Sequence, residues 1–250
     1  MSVADSIGVL VTSGKGGVGK TLCSVGVTAA LAQKYSVGLL DLDTRSPNLP
    51  CILGIEGLAE TDPTGSPRPK YVKLGGRSVP VFSSSFVYGD GRGITMAGEQ
   101  VRSMIRDEIV DVLWPDGIDW MVLDSDPAPG DSVHAARRWF KKLCAVVVTA
   151  SDVSSIQDCT RMLDAFQDEQ VPVVAVIGNM IGAKCASCGA LMPYGDEEMV
   201  RKLATRFHVP YAGSLPWDPV YRSQPVVAVQ TVGLWLFEDI AKRLGAHKWG

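Results

Sequence analysis

The chain lacks any apolar run long enough to cross a bilayer: runs such as Ala145–Val148 and Val171–Ile177 fall far short of the roughly 20 residues a spanning helix needs. It also lacks an excess of positive charge. Against 27 Asp and Glu stand 24 Lys and Arg, a formal charge of −3, so bulk charge draws it neither to nucleic acid nor to an anionic membrane. Cysteine is sparse, 6 in 250 residues, which excludes a disulfide scaffold and suits reduced thiols in a cytoplasmic setting. No basic segment followed by an apolar one opens the chain, so no secretory signal is expected. Internal repeats and low-complexity stretches are missing too. What is present is an ordinary globular composition, 46% hydrophobic and 20% charged, sufficient for one large α/β domain spanning residues 1–250.

Short β-branched runs alternate with segments of helical period, the pattern of a doubly wound, mostly parallel sheet with crossover helices. Ile7–Thr12, Val37–Leu42, Val79–Ser83, Asp119–Asp124, Leu143–Thr149, Val171–Ile177 and Tyr211–Ser214 read as strands. Lys20–Gln33 reads as a helix. Further helices follow from the stripe Val101, Met104, Ile105, Ile109 and Val112, and from Ile156, Cys159, Leu163 and Phe166. Thr61–Arg77, rich in Pro, Gly and basic residues, reads as an exposed excursion. Ligands of such a fold sit beyond the carboxyl ends of its strands.

One such end carries a phosphate loop. Gly14, Lys15, Gly16, Gly17, Val18, Gly19, Lys20 and Thr21 satisfy the P-loop pattern between a strand and a helix. The glycines let backbone N–H groups converge on phosphate oxygens at the positive end of the helix. Lys20 is positioned for the β- and γ-phosphates of ATP, and Thr21 for Mg²⁺. Two other strands end in acids, Asp41 with Asp43 and Asp124 with Asp126. Acids at turns are commonly caps. Beside a P-loop, however, Asp124 after Met121-Val122-Leu123 fits a Mg²⁺-binding acid.

The complete string GKGGVGKT resembles the deviant Walker A loop of the MinD/ParA/Mrp class. That resemblance makes Lys15 a contact reaching across a dimer interface to the partner's nucleotide, and Asp43 the acid that orients attacking water near the Mg²⁺. Other segments are similar to those of Mrp/ApbC-type iron–sulfur carrier ATPases: Asp41–Pro50 to a DxDxxGPSxP switch, Asp124–Asp131 to DLPPGTGD, Ile177–Met180 with Cys185–Gly189 to ENMS…CxxCG, and Leu215–Pro219 to IPLDP. Departures stand at Ser46, Asn48, Ala128 and Met96–Glu99, where the family's own switch residues and its WRGP are not matched, and they bear on hydrolysis rate more than on binding. The resemblance assigns Asn179 to adenine, and Pro216 and Asp218 to the nucleotide. It implies a minimal ATPase core without accessory domain.

Cys185-Ala186-Ser187-Cys188-Gly189 allows a redox pair, but that motif wants a helix N-terminus directly after a strand. It reads better as a metal knuckle whose glycine permits a tight turn. Two thiolates are too few for a closed zinc or iron–sulfur site, and a two-fold homodimer would bring four together. The donors suit a [4Fe–4S] cluster or Zn²⁺, and the resemblance favours the cluster, with apo iron–sulfur proteins as recipients. Cys23, Cys51, Cys144 and Cys159 read as packing residues, and His134, His208 and His247 show no ligand spacing. Two other functions compete: a MinD/ParA-type spatial ATPase, for which Leu234–Trp249 is apolar early and basic late, and a zinc-stapled ATPase dimer. Terminal helices of this kind usually dock on their own domain, so neither membrane nor nucleic acid is an expected partner.

Overall fold

The computed structural model describes residues 3–89, 99–126, 130–231 and 233–247. The non-matching residues 96–98, Ala128 and the end of the C-terminal stretch, Trp249, therefore lie outside the described residues. In chain order the strands are β1 (Ile7–Thr12), β2 (Val37–Asp41), β3 (Lys70–Leu74), β4 (Arg77–Phe82), β5 (Trp120–Asp124), β6 (Lys142–Thr149), β7 (Val173–Lys184), β8 (Leu191–Met192) and β9 (Tyr211–Trp217). The helices are α1 (Lys20–Ala32), α2 (Leu49–Leu53), α3 (Ser85–Tyr88), α4 (Glu99–Val110), α5 (Asp131–Trp139), α6 (Val153–Asp168), α7 (Glu197–Arg206), α8 (Pro219–Ser223), α9 (Pro225–Thr231) and α10 (Leu234–Ala246), with a 3₁₀ turn at Val3–Asp5.

The strands form one mixed sheet in the order β3-β4-β2-β5-β1-β6-β7-β8, with β9 also paired to β7. The pairs from β4 through to β7, and β7 with β9, are parallel. Helices cover both faces, which is why β2, β5 and most of β1 and β6 are buried throughout rather than alternating. β1 lies between β5 and β6, where the chain's winding reverses direction. A crevice opens at such a point beyond the strand ends, and the phosphate loop leaves β1 into it.

Three expectations need correction. Thr61–Arg77 is not simply an excursion: β3 inside it pairs antiparallel with β4. Tyr71 and Lys73 face solvent on this edge strand while Lys70 is half-buried and Leu74 buried, an arrangement that hides a strand from a hydrophobic-run reading. β7 does not stop at Ile177 but continues to Lys184, because positive φ at Met180 and Gly182 lets the strand bulge and go on pairing with β9. Cys51 does not pack inside; it is exposed on α2, whereas Cys23, Cys144 and Cys159 are buried. The C-terminal helix docks on α1: Leu236, Phe237, Ile240 and Leu244 are buried, and Phe237 lies so close to Gly26 that a Cβ there would meet its ring at 2.3 Å.

Candidate functional site

The loop between β1 and α1 is held by backbone packing that only glycine allows. A Cβ at Gly14 would lie 2.3 Å from the Asp158 carbonyl carbon, on the backbone of α6. Gly19 has φ +91° and faces Asn179, whose Nδ2 would sit 2.2 Å from an added Cβ. Asn179 Nδ2 donates to the Val18 carbonyl at 2.8 Å, so the middle of β7 fastens the loop. Since Gly19 caps α1 without a side chain, the first-turn N–H groups remain available to an anion. Gly16, Gly17 and Val18 form the outer wall of a cavity of about 290 Å³, completed by Ala150–Asp152, Met180 and Tyr194.

Lys15 and Lys20 are placed differently. Lys20 opens α1 and is buried; burial lowers its pKa, opposed by Asp124, Asp43 and Asp126. Lys15 is half-exposed and tethered within its own chain, with Nζ 3.1 Å from Asp152 Oδ1 and donating to Ser154 Oγ at 2.6 Å. Asp152 also accepts from the Ser155 N–H as the N-cap of α6, and hydrogen bonds from Ser155 and Ser154 hold its carboxyl well below the usual range.

Around Lys20 the strand-end acids converge. Asp124 accepts from Ser24 Oγ at 2.8 Å and is hydrogen-bonded by Thr21; burial pushes its carboxyl up to about 6 despite those bonds and Lys20. Asp43 Oδ1 accepts from the Ser46 N–H at 3.0 Å, and burial raises its pKa also. Asp41 is buried and raised by burial, then by Asp124 and Asp43; its oxygens accept from the Asp43 N–H and Ser83 Oγ. Asp126 accepts from Ser132 Oγ at 2.6 Å. Acid thus outnumbers Lys20, the one buried lysine among the described residues, and the donors are all oxygen, a set that fits a hard divalent cation. Among the described residues no group of three acids, Cys or His closes on a metal by itself. Mg²⁺ does not need one, since it keeps waters and shares phosphate oxygens with one or two carboxylates. Ser24 was missed by sequence reasoning, although its position four residues after Lys20 places it on the same helix face.

The described contacts of Pro216 and Asp218 run toward β7 and α8. Pro216 sits against Gly182. Asp218 Oδ1 caps α8 through the Val220 N–H at 3.0 Å, while Oδ2 lies 3.1 Å from Lys184 Nζ as an ion pair without hydrogen-bond alignment. Immediately beyond Lys184, the chain turns through the CxxC and returns as β8: Cys185 N–H donates to the Ala190 carbonyl and Gly189 N–H to the Cys185 carbonyl, each at 2.9 Å. Gly189 has φ +73°. Backbone N–H groups of Cys188 and Ser187, followed by the Cys188 side chain, lower the pKa of Cys185. The motif thus sits in a hairpin turn, not at a helix N-terminus, which removes the geometry a thioredoxin-like pair requires.

Residues 6–232 match the family model described as ParA, NUBPL iron-transfer P-loop NTPase. An iron–sulfur cluster carrier protein of Pyrococcus furiosus is 32% identical over 94% of this chain and 84% of its own length. One from Helicobacter pylori is 29% identical over 95% of this chain but only 66% of its own, so the chain spans just under two thirds of that relative. The fold matches a nucleotide-binding protein of Archaeoglobus fulgidus in complex with ADP, at TM-score 0.69 and 20% identity, covering 99% of this chain and 94% of that one. The phosphate loop, the acids gathered about Lys20 and the extent of the family match agree, and the chain belongs to the ParA/NUBPL iron-transfer P-loop NTPase family.

Proposed function

We propose that the protein is a slow, homodimeric ATPase that carries an iron–sulfur cluster between its subunits and delivers it to apo iron–sulfur proteins. The observation that carries this reading is β7, which fastens the phosphate loop through Asn179 and ends at the CxxC turn. From Asn179 to Cys185 is six residues, an extended reach of at most about 20 Å. A change in the loop on nucleotide binding is therefore felt at the cysteines through one strand.

Within the site, Lys20 and the open N–H groups of α1 hold the β- and γ-phosphates, and Thr21 and Asp124 hold Mg²⁺. Bound there, Mg²⁺ offsets phosphate charge. Asp43 orients the attacking water with the lone pairs left over from the Ser46 and Arg45 N–H groups it accepts. Asn179 retains an amide N–H and its oxygen for adenine. Lys15 acts in trans after leaving Asp152; that exposed pair is worth only about 0–1 kcal/mol, so the tether is cheap to break.

Anaerobic reconstitution with iron and sulfide tests the reading, followed by transfer to an apo-ferredoxin with and without Mg·ATP. A coloured protein whose transfer responds to ATP is expected, and Lys20→Ala should keep the cluster but lose the response. Retention of zinc alone, colourless and never displaced by cluster, would leave a stapled ATPase and overturn the carrier reading.

A further inference from the structure

Beyond the body of the sheet, the end of β7 with β8 and the end of β9 form a small three-stranded extension that carries the CxxC turn. Met192 on β8 and Trp217 on β9 both stand opposite the same residue, Ala183. Residues paired across strands share a face, and strands lie roughly 4.8 Å apart, so the three make an apolar strip roughly 10 Å wide. Both large members are open to solvent, Met192 by 48% and Trp217 by 47%. The reverse face is different. There a Cβ on Gly182 would meet Leu191 at 3.0 Å and Pro216 at 3.7 Å, and Lys184, two residues on, pairs with Asp218. The strip itself carries no charge. Exposed apolar residues scattered singly need no explanation, but two in one row beside an open thiol pair do.

The chemistry of the turn says what covers the strip. Cys185 follows Ala183 by two residues, roughly 7 Å along the chain. With Cys188 it supplies two thiolates, and a closed site takes two more. A second copy that brings them must come within bonding reach of the same cluster, which sets its surface against residues this close to Cys185. The strip suits that occupant. A two-fold contact lays the same patch on itself, and an uncharged apolar patch does so without opposing like charges.

Resting on the bridged-dimer reading above, we propose that the row Met192, Ala183 and Trp217 is the surface on which a second copy of this chain docks, with Trp217 as its anchor. Docked, the strip excludes water from one side of the cluster. Two half-exposed side chains per chain fall far short of the roughly 1,200 Å² that a stable interface buries. The strip therefore assists the metal and does not replace it, and chains without metal and nucleotide stay monomeric.

Anaerobic sedimentation velocity tests this on the nucleotide-free full chain, reconstituted with iron and sulfide and followed by cluster absorbance. Met192→Ser combined with Trp217→Ser should raise the dissociation constant of the loaded dimer at least about tenfold. Met192→Leu combined with Trp217→Phe, which keeps the strip apolar, should stay within about threefold of wild type. ATP affinity of the double Ser variant should also stay within about threefold, which shows that its fold is kept. A photo-crosslinking p-benzoylphenylalanine in place of Met192 should join two chains of the loaded protein on irradiation. A double Ser dimer as tight as wild type, or a loaded dimer without that crosslink, would overturn the strip and leave the bridged cluster standing. An unweakened dimer whose cluster passes to apo-ferredoxin tenfold more slowly would assign the surface to the recipient and overturn it as well. A tenfold loss of ATP affinity would place Trp217 at the nucleotide instead. Wild type that carries its cluster as a monomer would overturn the bridged-dimer reading together with the strip.

Discussion

At the scale of single residues, the buried acid Asp124 sets a pH dependence. Its folded pKa of about 6 lies above the unfolded carboxylate value, so between roughly pH 4 and 6 the folded chain holds a proton that the unfolded chain has lost. Stability from this group is therefore fully present below the unfolded pKa and is lost as pH rises through 6. Asp124→Asn should accordingly stabilise the nucleotide-free protein at pH 7, by up to about 3 kcal/mol, read from urea denaturation. The same change should weaken Mg²⁺-dependent ATP binding at least about tenfold, since the carboxylate proposed to hold the cation is gone. In the wild type, Mg·ATP affinity should fall as pH drops below 6, because protonated Asp124 no longer serves the cation. A variant that loses stability instead would show that Ser24 and Thr21 hold a carboxylate the fold needs.

At the scale of elements, the N-terminus of α6 does two things at once. Asp152 caps the helix through Ser155 and holds Lys15 through the same oxygen. Asp152→Ala should cost about 1 kcal/mol, a fall in Tm of roughly 2–4 °C, because the cap is lost. Lys15→Ala should change Tm by less than about 2 °C yet slow ATP turnover, which separates tether from function. The positions of β1, α1, β5, β6 and α6 were legible because their patterns are local: apolar runs, helical period and a glycine string. β3 was not, since its alternation of Lys and Tyr with Val and Leu looks like loop until β4 is beside it. The length of β7 was hidden for a related reason. Asn179, Met180 and Gly182 have turn chemistry, and only pairing with β9 keeps them in a strand. The Lys15 tether was illegible because Asp152 and Ser154 lie far along the chain.

At the scale of the whole molecule, the CxxC turn offers two thiolates where a closed iron–sulfur or zinc site takes four. Each chain presents Cys185 and the exposed Cys188 on a hairpin beyond the body of the sheet, with Cys185 already acidified by facing N–H groups. A lowered pKa favours the thiolate that a cluster requires, and exposure lets a second copy approach. In the proposed dimer a two-fold axis at the turn would set four thiolates around one cluster, so metal and dimer should form together. Nucleotide-free protein, reconstituted anaerobically, should therefore elute as a dimer with one four-iron cluster per two chains and revert toward monomer when iron is chelated. Changing Cys185 and Cys188 together to Ser should remove the cluster and this metal-dependent dimer. Nucleotide affinity should stay within about threefold, since Asn179 still fastens the loop. Lys184 and Asp218 tie the base of the turn to α8, so the double variant keeps its local frame and loss of cluster reports on the thiols. Cluster retained by the double Ser variant, or one cluster held by an isolated monomer at sedimentation equilibrium, would remove the bridging arrangement.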